Sequence, residues 1–275
     1  MYFQIKIKHL FLVHEINLIT FPMMDTIFKH RTIRKYKSTP ISDAVLNQIL
    51  EAGFRASTTG NMQVYSIIVT KDIEKKKQLC GMHFGQKMVE EAPVILTFCA
   101  DFNRFNKWCN QRNAEPGYDN YLSFFTGAID ALLAAQNVAL AAEANGLGIC
   151  YLGTTTYQAD KLIEFFNCPK GVVPITTLVV GYPDENPELV DRLPFEGIVH
   201  DEIYRDYSSA DIDEIYKEKE SLQQTAELIK VNELDNLAQI FTQKRYTKKD
   251  NIHFSKQFLK VITDQGFMNN NDQYL

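Results

Sequence analysis

Residues 126–153 read TGAIDALLAAQNVALAAEANGLGICYLG, and the fold turns on how this stretch is read. It is the longest nearly uncharged segment of the chain. Ile129, Leu132, Leu133, Val138, Ala139, Leu140 and Ala142 cover most of a helical circumference, and a helix apolar on nearly all sides is a buried one. Asp130 suits the positive end of the helix dipole, and Asn145-Gly146 at the other end suits a left-handed cap. The pattern therefore predicts a core helix from near Thr126 to Asn145, about 20 residues and about 30 Å long. A membrane span carries few polar groups, and Asp130, Gln136, Asn137 and Glu143 interrupt this one. Gly146, Gly148 and Gly153 then lead into a short apolar run, and that junction is where function is expected.

The rest of the composition narrows the class. A chain of 275 residues suits one large domain with appendages. The net charge of -5 argues against a general nucleic-acid binder, so any anion site must be local. Cys80, Cys99, Cys109, Cys150 and Cys168 are odd in number and contain no CxxC pair, which points to a reducing, cytoplasmic setting. The histidines at 9, 14, 30, 83, 200 and 253 have no metal-ligand spacing, so no metal site is expected.

Upstream, residues 1–23 mix apolar residues with Lys6, Lys8, His9, His14 and Glu15 and fit neither a signal peptide nor an anchor. Met23-Met24 precedes an ordinary-looking start, so translation is expected to begin there, with the upstream part a non-native or disordered extension. A short helix from Asp25 leads into His30-Arg31-Thr32-Ile33-Arg34-Lys35-Tyr36. Ser42 should cap a helix through about Arg55, with Val45, Leu46, Ile49, Leu50 and Phe54 on one face. A polar loop over Ala56 to Gln63 precedes a strand at Tyr65 to Thr70. Helices are expected at Ile73 to Leu79, Gly85 to Glu91 and Asp160 to Phe166. Val94 to Ala100 and Pro174 to Val180 are too continuously apolar for an edge and read as central strands, and Ile149 to Leu152 as a short one. Residues 102–125 read as a polar, aromatic helix and loop region. Residues 183–200, with three prolines, read as an extended connector. From Asp211 the chain reads as two or three surface helices, the last near Ser255 to Gln265. The order gives an α+β or α/β layered domain.

Three constellations carry chemistry. His30, Arg31, Thr32 and Arg34 gather forked cations and a hydroxyl suited to a phosphate, or, read alone, form a solvated basic end. The polar loop Ser57 to Gln63 offers hydroxyls and amides for a polyhydroxyl or heteroaromatic ligand, or simply connects. GLGICYLG at Gly146 to Gly153 is no dinucleotide fingerprint, because it follows a helix and has the wrong spacing.

In order and spacing, these residues resemble the FMN-dependent nitroreductase family, within it the flavin reductase P-like, oxygen-insensitive NADPH nitroreductase branch. The matching positions are His30 to Tyr36 followed by Pro40-Ile41, Asn61-Met62-Gln63, Gly85-Gln86 with Val89 and Ala92-Pro93, and Cys99 to Arg104. Gly146-Leu147-Gly148, Tyr151-Leu152-Gly153, and Gly181-Tyr182-Pro183 to Arg192-Leu193-Pro194 with Val199-His200 complete them. The resemblance implies an α+β, nitroreductase-like fold: a central, mostly antiparallel sheet of four to five strands packed by helices, with a helical C-terminal extension. It implies an intertwined homodimer with two FMN sites, each lined by both subunits. It divides the chain into an FMN-binding domain over 24–207 and an extension over 208–275.

The resemblance also distributes roles. His30, Arg31, Thr32 and Arg34 would hold the FMN phosphate, together with Arg192. Ser57, Thr58, Thr59, Asn61, Gln63 and Gln86 would meet the ribityl chain and ring edge, partly from the second subunit. Tyr151, Leu152 and Gly153 would bring backbone close to N5 of the ring. Hydride would pass from NADPH or NADH to the flavin and then to a nitroaromatic, quinone or free flavin in a ping-pong cycle, with no catalytic side chain. Lys217, Lys219, Lys230, Lys244 and Arg245 are candidates for a 2'-phosphate contact. Trp108, Tyr118, Tyr121, Phe124 and Phe125 would either cover the acceptor or pack in the dimer. Cys150, adjoining the turn, reads as a redox candidate or as a small buried hydrophobe, and Cys99 as a small buried hydrophobe. One departure stands out. A basic residue usual two positions before the final Arg is Val190 here, and Asp191 adds a carboxylate, with Lys35 or Lys37 as possible compensation. Two alternatives stay open: other FMN chemistry, which the same fold also allows, and a dimeric flavin-binding or interaction protein without turnover, which that departure allows.

Overall fold

The computed structural model describes residues 22–269, so the expectation for the upstream extension lies outside the described residues but for the first two positions of the first helix. In chain order come α1 (Pro22–Phe28), α2 (Asp43–Phe54), β1 (Tyr65–Thr70), α3 (Ile73–Met82), α4 (Met88–Glu91) and β2 (Val94–Asp101). There follow α5 (Asn103–Gln111), α6 (Tyr121–Ala144), β3 (Gly148–Leu152), α7 (Ala159–Phe165) and β4 (Val172–Gly181). The strands form one sheet in the order β1-β2-β4-β3 with every pairing antiparallel, Tyr65 facing Ala100, Val94 facing Val180 and Gly148 facing Gly181. Every residue of β2 and β4 is buried, as expected of central strands. Ser42 caps α2 by accepting from Val45 N–H at 3.3 Å. The fold is α+β, one antiparallel sheet packed by helices.

The long helix lies across this sheet and departs from its reading in three ways. It starts at Tyr121, not near Thr126, because the Asn120 side chain caps it by accepting from Ser123 N–H at 3.0 Å. Asp130 therefore sits in mid-helix, away from the positive end of the dipole. Its carboxylate is fully buried and accepts from the backbone N–H groups of Thr59 (3.1 Å) and Val64 (3.3 Å). Only one face is buried. Ala131, Ala134, Ala135, Val138, Ala139 and Ala142 pack against β2, β4 and α2, whereas Ile129, Leu132 and Leu133 are 39%, 47% and 43% exposed. At its other end Gly146 is left-handed (φ +74°), as the cap requires.

Smaller differences have local causes. α3 runs on to Met82, and the next helix begins only at Met88 because Phe84 and Gly85 both take positive φ, +58° and +71°. Residues 102–125 divide into α5, a loop over 112–120 and the first turn of α6. The connector is extended apart from a 3-10 turn at Phe195–Gly197. Beyond it the chain holds more pieces than two or three helices: α8 (Ser209–Ser221), α9 (Gln223–Asn232), α10 (Leu237–Gln239), a π turn (Ile240–Arg245) and α11 (Lys248–Asp264). α11 packs on α7 and on the 3-10 turn Gly153–Gln158, and Phe267 is buried against Phe102 and Phe124.

Candidate active site

The His30–Tyr36 strap lies along the outer side of β3. Ile33 N–H donates to the Ile149 carbonyl at 2.9 Å, Thr32 pairs with Ile149 in a parallel bridge, and Lys37 N–H reaches the Tyr182 carbonyl at 2.9 Å. Gly148 permits this approach, since a Cβ there would lie 2.6 Å from Ile33 Cγ1. Tyr36 OH donates to the Ile33 carbonyl at 2.6 Å, and burial drives its pKa upward. His30 Nδ1 is held at 2.6 Å by Glu143 Oε1 from the last turn of α6, which leaves Nε2 as the free ring nitrogen. Among the described residues Arg31 Nε is buried without a partner, and the Arg34 side chain is exposed. The backbone N–H groups of Arg34 and Lys35 share Glu185 Oε1 at 2.5 and 3.0 Å.

The turn after β3 completes this side. Leu152 is buried, Tyr151 is half-buried and reaches Gln136 Oε1 with its hydroxyl at 3.4 Å, and Gly153 is exposed. A Cβ placed on Gly153 would meet nothing within 4 Å, so the space before it is open to a ligand's face. Gln86 stands beside it, its Nε2 3.5 Å from Thr154 Oγ1. Sequence reasoning missed His83, whose Nδ1 lies 2.7 Å from the same hydroxyl; burial lowers its pKa to about 4. No spacing in the chain signals that contact.

The polar loop is built separately. Asp130 holds the backbone of Thr59 and Val64, and Arg104 donates to the carbonyls of Gln63 and, at 3.3 Å, Tyr65. Gly60, Asn61 and Gln63 all take φ between +53° and +57°, and two of these are side-chain-bearing residues in a costly region. Ser57, Thr59, Asn61 and Gln63 are exposed and Thr58 is half-buried. Among the described residues no hydrogen bond joins this loop to the strap, so one chain carries the predicted residues as two separate clusters.

The nitroreductase-family sequence profile matches residues 27–85 and 80–182. The chain belongs to the nitroreductase family. It is 35% identical over 193 residues to an NADPH-flavin oxidoreductase of Vibrio harveyi, covering 69% of this chain and 77% of that protein. It is 34% identical over 184 residues to an oxygen-insensitive NADPH nitroreductase of Salmonella typhimurium, covering 67% and 75%. A solved structure from Bacteroides fragilis superposes with a TM-score of 0.88 at 54% identity, covering 90% of this chain and all of that one.

In this chain the carboxylate added by the Val190-Asp191 departure has a partner of its own. Lys219 from α8 places Nζ 2.6 Å from Asp191 Oδ2. Arg192 bonds through Nη1 to the carbonyls of Val190 (3.1 Å) and Asp191 (2.9 Å), with its side chain exposed. Lys217 is spent on Glu214 at 3.1 Å. Arg245 stacks over Phe241 and lines a cavity of about 540 Å³ with Phe84, Thr154, Tyr157 and Phe254, where Tyr157 and Phe254 stack at 4.3 Å. Of the aromatic group, Tyr118 and Phe124 pack inward on Phe102, Phe258 and Phe267, while Trp108, Tyr121 and Phe125 are about half exposed. Cys150 and Cys99 are buried, and burial raises the Cys150 thiol pKa.

Proposed function

We propose that the protein is an FMN-dependent NAD(P)H oxidoreductase that works as a homodimer and reduces flat acceptors such as nitroaromatics, quinones or free flavin. The observation that carries the reading is the open face at Gly153 with Gln86 beside it, at the end of the strand whose start the cationic strap pairs with. The residues fit FMN. Arg31 has a buried nitrogen without a partner, Arg34 presents a free guanidinium, and His30 is oriented by Glu143 with Nε2 unspent. With Thr32 and Arg192 these groups would take the phosphate through charge-assisted hydrogen bonds. Bound flavin supplies hydride acceptance and donation in turn. Around it the Gly153 backbone sets the closest approach and Gln86 the ring edge, while Arg245, beside the cavity under α11, meets the nicotinamide coenzyme.

The two-cluster arrangement supports a homodimer. The Ser57–Gln63 loop carries ligand-binding groups without bonding to the strap in its own chain, and the outer face of α6 leaves Leu122, Phe125, Ile129, Leu132 and Leu133 in water. A contiguous apolar face of this kind on a soluble fold is an association surface. A second copy packed there brings its loop to the strap and closes the site. The domain limits 24–207 and 208–275 and a cytoplasmic setting belong to the same proposal.

An anaerobic visible spectrum of the purified protein, before and after NADPH and then NADH, tests the reading. A flavin band that bleaches with either coenzyme is expected, and the faster one identifies the donor. A protein that neither carries nor takes up FMN would overturn it, and a bound flavin that stays oxidised would make it a binding protein.

A further inference from the structure

Thr154 follows Gly153 in the turn after β3, and two side chains from the segment between α3 and α4 close on its hydroxyl. His83 Nδ1 lies 2.7 Å and Gln86 Nε2 3.5 Å from Thr154 Oγ1. The Gln86 amide also donates to the His83 carbonyl at 3.1 Å, which fixes its NH2 group on this side. His83 is 0% exposed, and its Nε2 has no hydrogen-bond partner among the described residues. A buried N–H without an acceptor is rarer than a buried acceptor without a donor, so the ring proton belongs on Nδ1 and points at Thr154. Thr154 Oγ1 then receives two N–H donors, and its lone pairs are filled. Its own proton has no acceptor in the protein among the described residues and is left for whatever lies in front of the turn.

Both sides of this arrangement are fastened. Thr155 Oγ1 donates to the Leu152 carbonyl at 2.9 Å, and Gly85 N–H donates to the Cys80 carbonyl at 2.8 Å. Thr154 and the exposed ring of Phe84 both open on the cavity under α11. We propose that Thr154 donates a hydrogen bond from its hydroxyl to a carbonyl oxygen of the ring bound against the Gly153 turn, with His83 and Gln86 as positioning residues that leave this proton no other direction. The proposal rests on the flavin reading above. A fixed donor at a ring carbonyl oxygen, whose electron density rises on reduction, favours the reduced form, so it raises the midpoint potential.

The test is the two-electron midpoint potential of the FMN-loaded protein in four variants. Thr154→Val keeps the shape and removes the hydroxyl, and should cut the preference for reduced over oxidised flavin about tenfold, about 30 mV downward. Thr154→Ser should stay near the parent value. His83→Ala should fall in the same direction as Thr154→Val, and His83→Asn, which restores an N–H near the position of Nδ1, should recover most of the difference. An unshifted potential in Thr154→Val overturns the proposal while leaving the flavin site standing. A parent protein without FMN overturns both. Should Thr154→Val fail to fold, the His83→Ala and His83→Asn pair decides, and equal potentials in these two count against it.

Discussion

The two faces of α6 obey different rules of size. Where the helix meets its own sheet and α2 the residues are Ala131, Ala134, Ala135, Ala139 and Ala142, with Val138 the one larger side chain among them, and they are fully or almost fully buried. Where it meets solvent they are Leu122, Phe125, Ile129, Leu132 and Leu133, all large and all well exposed. Small residues let backbones approach closely when the partner is part of the chain. Large ones are retained on an open face when the surface is to be closed by something else. The same contrast between contacts completed inside the chain and contacts left open recurs at the site, where Asp130 is satisfied while Arg31 Nε and His83 Nε2 are not.

The open face gives the largest expected effect. Leu132→Glu combined with Leu133→Glu places two charges in the middle of the apolar face without touching the inner alanines. The parent protein is expected to elute as a dimer and the double variant as a folded monomer with FMN lost, read by light scattering and visible absorbance. A double variant that stays dimeric with flavin bound would move the association surface elsewhere.

Asp130 tests the closed side. Removing its carboxylate leaves the N–H groups of Thr59 and Val64 buried and unpaired, each at about 1 to 3 kcal/mol. Asp130→Ala is therefore expected to lose about 2 to 6 kcal/mol in urea unfolding and to weaken FMN binding through the released loop. Asp130→Asn, which keeps one acceptor oxygen, should lose less. An unchanged denaturation midpoint in Asp130→Ala would show that the loop is held by Arg104 alone.

That carboxylate also marks the limit of what the sequence discloses. The Ser42 cap, the two central strands and the Gly146 cap are legible because each is decided by residues within one turn or one strand. The start of α6 at Tyr121 is not, since the aromatic run Tyr121 to Phe125 carries no helical signature and Asn120 reads as one more loop residue. Nor is the role of Asp130, because its partners lie 71 and 66 residues away. His30 with Glu143, His83 with Thr154 and Asp191 with Lys219 are likewise pairs that only the folded chain brings together. Motif order located the candidate residues; the groups that orient them are long-range and leave no spacing to read.

His83 lies between the two cases, with one nitrogen closed and one open. Its folded-state pKa of about 4 lies below the ordinary 6.5, so between these values the unfolded chain binds a proton that the native chain does not. The stability contributed by the neutral ring is fully present above about pH 6.5 and is lost as pH falls toward 4, at up to about 1.4 kcal/mol per pH unit. Urea unfolding between pH 7 and pH 4 is expected to show a steeper loss in the parent than in His83→Asn, the difference reaching about 3 kcal/mol. Parallel pH profiles in the two proteins would mean that the ring is hydrated in solution.

The smallest effect concerns a contact that the chain closes for itself. Asp191 would place a carboxylate next to Arg192, and Lys219 cancels it at 2.6 Å, with side-chain exposures of 14% and 27%. Replacing Lys219 with Met leaves that carboxylate without its cation and free to neutralise Arg192, so FMN affinity is expected to fall several-fold, toward tenfold, as one charge-assisted hydrogen bond is weakened. Adding Asp191→Asn to the same background should return the affinity, because the cation was needed only to cancel the carboxylate. Titration of apoprotein with FMN, followed by quenching of flavin fluorescence, reads both. If Lys219→Met binds FMN as the parent does, the ion pair is a fastening between α8 and the connector alone. If the double variant stays weak, Lys219 itself meets the phosphate, and the C-terminal extension then supplies the positive charge that Val190 lacks.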